Sequence, residues 1–331
     1  EARRYFSSRP VWSRYAPGMN VLLCGRLDAV EYSTWLAALR SAMPEACWLD
    51  DAAARARPEG VDAAVVANPP PGALGGLPRL RLIQSLWAGV ERLLEDGTIP
   101  LHVPLARMVD PSMNLAMAET ALWATLSLHR GFFAYGRQQR RGEWRQLPQR
   151  RADEIEVLVL GQGEMGRGAA LAIARQGYRV SGWSRSPRAN DDGVRSLSGG
   201  AALAEALPGC HVLINLLPLT AQTRGLLDAR LFSALPAGAA VVNLARGAHL
   251  IEDDLLAALD AGHLGHAVLD VFGVEPLPAG HPFWSHDKVT LLPHAAALTD
   301  PRTAAAVAAA NLRALRDGGP IAHRVDRTRG Y

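Results

Sequence analysis

Val157-Leu158-Val159-Leu160-Gly161-Gln162-Gly163-Glu164-Met165-Gly166 joins an apolar run too short for a helix to a Gly-x-Gly-x-x-Gly turn, and Arg167-Gly168-Ala169-Ala170-Leu171-Ala172 continues it with helical composition. Strand, tight turn, helix is the order this spells. Gly161 permits the turn, Gly163 has no side chain to hold a pyrophosphate off the backbone, and Gly166 lets the helix lie close on the sheet. Phosphates can then sit on the positive N-terminus of the helix. In a chain with 31 glycines such spacing also arises by chance. The strand before it and the amphipathic helix after it make a dinucleotide the expected guest.

Outward from this turn, Ile155–Leu160, Tyr178–Trp183, His211–Leu216, Ala239–Leu244, Ala267–Leu269 and Val289–Leu292 read as strands with helices between them, including Glu252–Ala261. Strands alternating with helical crossovers make a doubly wound, Rossmann-type parallel sheet. Upstream, Val21–Cys24, Ala63–Val66 and Leu80–Ile83 alternate with helix-like segments such as Tyr32–Ser41, punctuated by Asn68-Pro69-Pro70-Pro71-Gly72, which gives a smaller flavodoxin-like α/β domain. Pro111–Arg141 has helical periodicity with few breakers, read as a bridging helix, and its aromatic and charged end, from Gly131-Phe132-Phe133-Ala134-Tyr135 through Gly142-Glu143-Trp144, is read as an arm. Pro301–Asp317 is an Ala-rich helix expected to return to the first domain. The expected division is an N-terminal extension over 1–18 and a substrate domain over 19–112. A dinucleotide domain with bridging helix and arm follows over 113–296, and a return segment over 297–331.

Composition narrows the function. With 49% hydrophobic and 20% charged residues, the 331-residue chain has the makeup of a globular protein rather than a disordered or fibrous one. Thirty-five basic residues against 32 acidic ones, with no basic block interleaved with aromatics, argue against nucleic acid. Lys288 is the only lysine, which leaves little for a P-loop or a lysine Schiff base. Cys24, Cys47 and Cys210 are scattered in apolar surroundings and read as small buried residues in a reducing compartment, and no metal site is expected. No apolar run reaches the ~18–20 residues of a membrane span, and residues 1–18, Arg- and Ser-rich over Glu1–Pro10, lack the apolar core of a secretory signal. A soluble, cytoplasmic protein with no membrane partner is expected.

Open α/β sheets bind ligands beyond the carboxyl ends of their strands, and Arg246, Glu275 and His294 stand just past three such ends. Arg246, after Val241-Val242-Asn243-Leu244-Ala245, offers a planar, permanently charged fork suited to a carboxylate and a neighbouring carbonyl. His294 is one of ten histidines and a lone histidine is usually structural; its position and the available acid Glu275 single it out. A carboxylate on one ring nitrogen fixes the tautomer and favours the imidazolium, so that the other nitrogen donates a proton.

The matching blocks run from Val65-Val66-Ala67-Asn68-Pro69-Pro70 and Ala88-Gly89-Val90 through the glycine turn to Trp183-Ser184-Arg185-Ser186 and Leu213-Ile214-Asn215-Leu216-Leu217-Pro218. They continue with Asn243-Leu244-Ala245-Arg246-Gly247, Leu269-Asp270-Val271-Phe272, Glu275-Pro276-Leu277-Pro278, Thr290-Leu291-Leu292-Pro293-His294 and Val325-Asp326-Arg327-Thr328-Arg329-Gly330-Tyr331. On these the chain resembles the D-isomer-specific 2-hydroxyacid dehydrogenases over Met19–Tyr331, and among them the glyoxylate/hydroxypyruvate reductase subfamily. The resemblance implies reduction of small 2-oxo acids, with Arg246 orienting and polarising the substrate, His294 as acid/base and Glu275 as its partner. It implies that backbone amides at Ala88, Gly89 and Val90, next to Trp87, hold the substrate carboxylate. The implied cofactor surface runs through Gly161, Gly163, Glu164, Met165 and Gly166, then Ser184, Arg185, Ser186 and Arg188. It continues over Leu217, Pro218 and Thr223 to Ala245, Arg246, Asp270 and His294. Hydride would come from the nicotinamide, and the protein would supply placement and exclusion of water between closing domains.

Two departures from the family pattern, Trp87 and Ala67-Asn68, flank the expected substrate pocket and bear on whether glyoxylate is preferred to larger 2-oxo acids; packing alone would also account for them. NADPH is the expected cofactor, with NADH possible. Where an NAD enzyme places an acid for the ribose hydroxyls, this chain has Ser184-Arg185, with Arg188 near in sequence, while Asp191 and Asp192 read as solvated loop charges. A homodimer is expected from the aromatic-rich arm between Gly131 and Leu147 and from the family's habit of pairing. Another 2-hydroxyacid dehydrogenase, or a non-catalytic nicotinamide-sensing protein on the same scaffold, are the alternatives.

Overall fold

The structure is a computed structural model and describes residues 18–190 and 193–331. Most of the expected N-terminal extension, along with Asp191 and Asp192, lies outside the described residues. The described residues divide into two compact units, the first formed by 18–108 with 301–326 and the second by 109–190 and 193–300 with 327–331. The last five residues therefore group with the second unit, where the sequence reading had carried the return segment through to 331.

In the first unit, β1 (Asn20–Gly25), α1 (Ala29–Ala42), β2 (Cys47–Leu49), α2 (Asp51–Ala56), β3 (Ala63–Ala67), β4 (Ile83–Ser85), α3 (Glu91–Glu95) and β5 (Leu105–Ala106) build a sheet in the order β2-β1-β3-β4-β5. Every pairing in it is parallel. This is the flavodoxin-like order. β3 reads Ala-Ala-Val-Val-Ala and is buried throughout, as a strand covered on both faces must be. Asp28 caps α1 by accepting from the Val30 and Glu31 amides, with Glu31 reaching back to the Asp28 amide.

The second unit holds α4 (Pro111–His129), α5 (Phe132–Arg141), β6 (Glu156–Leu160), α6 (Glu164–Ala174), β7 (Arg179–Ser184), β8 (Val194–Ser198) and α7 (Gly199–Ala206). β9 (Val212–Asn215), α8 (Ala229–Ala234), β10 (Ala239–Asn243), α9 (Glu252–Asp260), β11 (Leu264–Leu269) and β12 (Val289–Leu291) complete it. Its seven strands run β12-β11-β10-β9-β6-β7-β8, all parallel, which is the Rossmann order with one more strand at the β12 edge. Period-two alternation separates two cores. Leu158, Leu160, Leu213, Val241 and Leu269 face the side covered by α8 and α9, while Val157, Val159, Ile214, Val242 and Val268 face the side of α4 and α6.

Two elements differ from the sequence reading. The segment expected as an arm is helical over Phe132–Arg141, as α5, and Gly131, with a left-handed φ of 71°, separates it from α4. β8 was not expected: Val194-Arg195-Ser196-Leu197-Ser198 is an edge strand with only Val194 and Leu197 buried, and its composition reads as loop.

After the second unit, α10 (Pro301–Asp317) counts with the first. It packs on α1 through the alanines at 304, 305, 308 and 309, and buried Asn311 donates to Gln84 Oε1 at 2.7 Å and to the Ala322 carbonyl at 3.1 Å.

Candidate active site

Three neighbouring parallel strands, β10, β11 and β12, end on the same edge of the second sheet, their axes spanning roughly 10 Å at ~4.8 Å per step. Arg246, Glu275 and His294 follow those ends in turn.

His294 Nδ1 lies 2.7 Å from Glu275 Oε2. The carboxylate is held from behind, its Oε1 accepting from the Phe272 amide at 2.9 Å. The imidazole is 53% exposed, and Nε2 meets no hydrogen-bond partner among the described residues. His294 itself has φ of +53°, a left-handed conformation that a histidine adopts only when its surroundings impose it. Asp270 imposes it. Buried at the end of β11, Asp270 takes the His294 amide on its backbone carbonyl at 2.9 Å, and the Ala295 and Ala296 amides on Oδ1 at 2.7 and 3.0 Å. Burial pushes the Asp270 carboxyl up, opposed by those amides and by the charge of His294.

Arg246 is fixed through its backbone by two buried asparagines that no sequence argument gave a role. Asn215 Nδ2 donates to Asn243 Oδ1 at 3.0 Å, and Asn243 Nδ2 donates to the Arg246 carbonyl at 3.0 Å. The signal was present, since each is a polar residue closing an otherwise apolar, fully buried strand. Gly247 is obligatory at the next position because a Cβ there would stand 1.9 Å from the Phe272 carbonyl carbon. The turn that carries Arg246 thus lies directly on the loop that carries Glu275. Glu252 steadies that loop by accepting from the Gly273 amide at 3.1 Å, with His281 on its other oxygen at 3.2 Å.

At the strand-order reversal between β6 and β9 sits the glycine turn. Gly161 has φ of +98°, and a Cβ on Gly166 would fall 1.8 Å from the Gly161 carbonyl oxygen. A Cβ on Gly163, the N-cap of α6, would meet no protein atom within 4 Å. Packing therefore accounts for Gly161 and Gly166 but not for Gly163. With no side chain capping α6, the amides of Glu164, Met165 and Gly166 open its positive end.

Along the same edge, Ser184 Oγ donates to the Ser186 carbonyl at 2.8 Å after β7, and the Arg185 guanidinium stands in the turn that follows. Arg188 is exposed in the next loop. Beyond β9, the Leu217 amide donates to Asn215 Oδ1, and Thr223 Oγ1 donates to the Pro218 carbonyl at 2.8 Å, so the Thr223 hydroxyl shapes this loop from within.

In the first unit, Trp87, Ala88, Gly89 and Val90 follow β4. Ser85 Oγ locks the turn by donating to the Trp87 carbonyl at 2.9 Å and accepting from its amide at 3.0 Å, and the Trp87 ring stands edge-on to Trp35, centroids 6.0 Å apart. Among the described residues, the Ala88, Gly89 and Val90 amides donate to no protein acceptor. Free cysteines play no part here: burial pushes the Cys24 and Cys210 thiols up to about 12.

Residues 122–296 match the NAD binding domain of the D-isomer specific 2-hydroxyacid dehydrogenases. The chain belongs to this family. It is 44% identical over 307 residues to glyoxylate/hydroxypyruvate reductase A of Serratia proteamaculans, covering 90% of this chain and 96% of that protein. It is 40% identical to the enzyme of the same name from Yersinia enterocolitica, covering 91% and 97%. Among solved structures, the D-isomer specific 2-hydroxyacid dehydrogenase of Xanthobacter autotrophicus Py2 in complex with NADPH and MES superposes with a TM-score of 0.88 at 40% identity, over 96% of this chain and all of that one. The NADPH-dependent glyoxylate/hydroxypyruvate reductase of Sinorhizobium meliloti, with NADP and sulfate, gives 0.87 at 34% identity over 95% of this chain. As a member of the 2-hydroxyacid dehydrogenases the chain is an oxidoreductase built on a Rossmann-type NAD-binding domain. No helix among the described residues is long and apolar enough to cross a membrane.

Proposed function

We propose that this dehydrogenase reduces small 2-oxo acids, glyoxylate to glycolate and hydroxypyruvate to D-glycerate, with NADPH preferred to NADH. The observation that carries the reading is the His294–Glu275 pair, a half-exposed imidazole tied through Nδ1 to an anchored carboxylate and open at Nε2. Such a group is built to give a proton to a carbonyl oxygen, with Glu275 fixing the orientation of the ring through Nδ1.

Arg246 provides a permanent positive charge for the 2-oxo carboxylate and the adjoining carbonyl. The residues present fit a dinucleotide: Gly163 leaves the α6 N-terminus open to a pyrophosphate, and Ser184-Arg185 offers a cation in place of the acid that would repel a 2′-phosphate. When bound, the nicotinamide supplies the hydride that C2 of the substrate accepts. His294 supplies the proton from Nε2. Arg246 holds the carbonyl polarised, and Asp270 keeps the His294 turn in register. The names of the Serratia and Sinorhizobium enzymes support the choice of substrates and cofactor.

The test is a panel of glyoxylate, hydroxypyruvate, pyruvate and phenylpyruvate with each nicotinamide. The two small acids with NADPH should give the highest kcat/KM. A preference for phenylpyruvate would reassign the substrate, and would fit Trp87 serving as a substrate-facing wall rather than as packing on Trp35. We also infer a homodimer in a reducing, cytoplasmic compartment, supported by a Trp144 that is 98% exposed on the arm and by three unpaired cysteines. A monomer by light scattering at micromolar concentration contradicts the dimer.

A further inference from the structure

Arg185 does not stand alone at the end of β7. The Tyr331 hydroxyl accepts from Arg185 Nη2 at 2.9 Å, and the guanidinium carbon lies 5.9 Å from the centre of the Tyr331 ring. Tyr331 closes the segment Arg327–Tyr331, which groups with the second unit, and burial against its surroundings pulls Arg327 below the usual guanidinium range. Among the described residues, no carboxylate pairs with Arg185.

The choice of partner matters. A carboxylate would neutralise the guanidinium and compete with any incoming phosphate, whereas a phenol hydroxyl and a ring face orient it and leave its charge intact. Nη2 is engaged while Nη1 and Nε keep their donors. Arginine is a long, flexible side chain, and fixing it before a ligand arrives lowers the ordering cost of binding. We infer that Tyr331 is a positioning residue for cofactor choice: it holds the Arg185 guanidinium in the orientation that takes a phosphate on the ribose 2′ position, and so sets selectivity for NADPH over NADH. The inference rests on the reading of Arg185 as the 2′-phosphate ligand.

The test compares wild type, Y331F, Y331A and R185A in the full chain. Titration calorimetry with 2′,5′-ADP and with 5′-AMP reads the 2′-phosphate contact without turnover, and steady-state kinetics with NADPH and NADH reads it in the working enzyme. Y331F should weaken 2′,5′-ADP binding ~2- to 10-fold, the range expected for losing the pre-ordering of one long side chain, and lower the NADPH-to-NADH ratio of kcat/KM by a similar factor. Affinity for 5′-AMP, which lacks the 2′-phosphate, should not move. Y331A, which also removes the ring face, should lose at least as much. If both Tyr331 variants bind 2′,5′-ADP as wild type does while R185A does not, the Tyr331 inference fails and the Arg185 reading stands. If R185A binds it normally, both fail. Equal losses for 2′,5′-ADP and 5′-AMP would reduce Tyr331 to a structural prop and overturn the inference.

Discussion

At the scale of single residues, the proposed chemistry turns on one imidazole. His294 is held in a left-handed backbone conformation by three hydrogen bonds to Asp270 around its turn, and oriented by Glu275 at 2.7 Å. General acid catalysis contributes ~10²–10⁴-fold, so H294N should lose at least ~10²-fold in kcat while its affinity for NADPH, measured by titration, stays near wild type. Turnover close to normal in that variant would remove His294 from the mechanism. E275Q replaces the carboxylate that orients the imidazole through Nδ1 with an amide. Its kcat should therefore fall while its affinity for NADPH stays near wild type, and an unchanged kcat would count against the pair. The sequence singles out Arg246, Glu275 and His294 because each follows a strand end, and the structure sets His294 against Glu275. The residues that set their geometry are less legible there. Asn215 and Asn243 act through backbone and amide contacts across neighbouring strands, and Asp270, expected on the cofactor surface, spends its carboxylate on the His294 turn.

At the scale of elements, the strand, turn and helix around Gly161 separate packing from binding. Gly166 touches the Gly161 carbonyl so closely that a Cβ would fall 1.8 Å away, whereas a Cβ on Gly163 meets nothing. G166A should therefore cost ~1–3 kcal/mol or more by overpacking, lowering Tm by several degrees at ~2–4 °C per kcal/mol for a unit of this size. G163A should leave Tm within ~2 °C, because φ at Gly163 is an ordinary −74°, yet weaken NADPH binding measurably. If G163A binds NADPH like wild type, the open end of α6 is not where the phosphates lie. Buried strands such as β6 and β10 declared themselves as apolar runs bounded by glycine, with both neighbours and both faces covered. β8 did not, since an edge strand with two buried residues carries little hydrophobic pattern. Which strands would be neighbours is a long-range fact, and it is the adjacency of β10, β11 and β12 that assembles the site.

At the scale of the whole molecule, the stability of the fold responds to pH through a buried histidine. His266, 7% exposed on β11, stacks on Phe133 with centroids 4.5 Å apart and meets Thr290 Oγ1 at 2.9 Å. Burial first, and the nearby Arg137 and His286 second, push it down to about 3. In the unfolded chain it titrates near ~6.5, so as pH falls below that value the unfolded state gains a proton that the folded state refuses. Stability should decline, by on the order of a few kcal/mol, between pH ~6.5 and ~3, and denaturant unfolding of H266Q should show a visibly flatter dependence over that window. Equal slopes for the two proteins would place the acid sensitivity elsewhere. The most direct measurement of the central claim is the reaction of hydroxypyruvate with NADPH, followed by cofactor absorbance and by chiral analysis of the product. Stoichiometric oxidation of NADPH with formation of D-glycerate, faster than with NADH at equal concentration, is the predicted result; no oxidation, or formation of the L isomer, would contradict it.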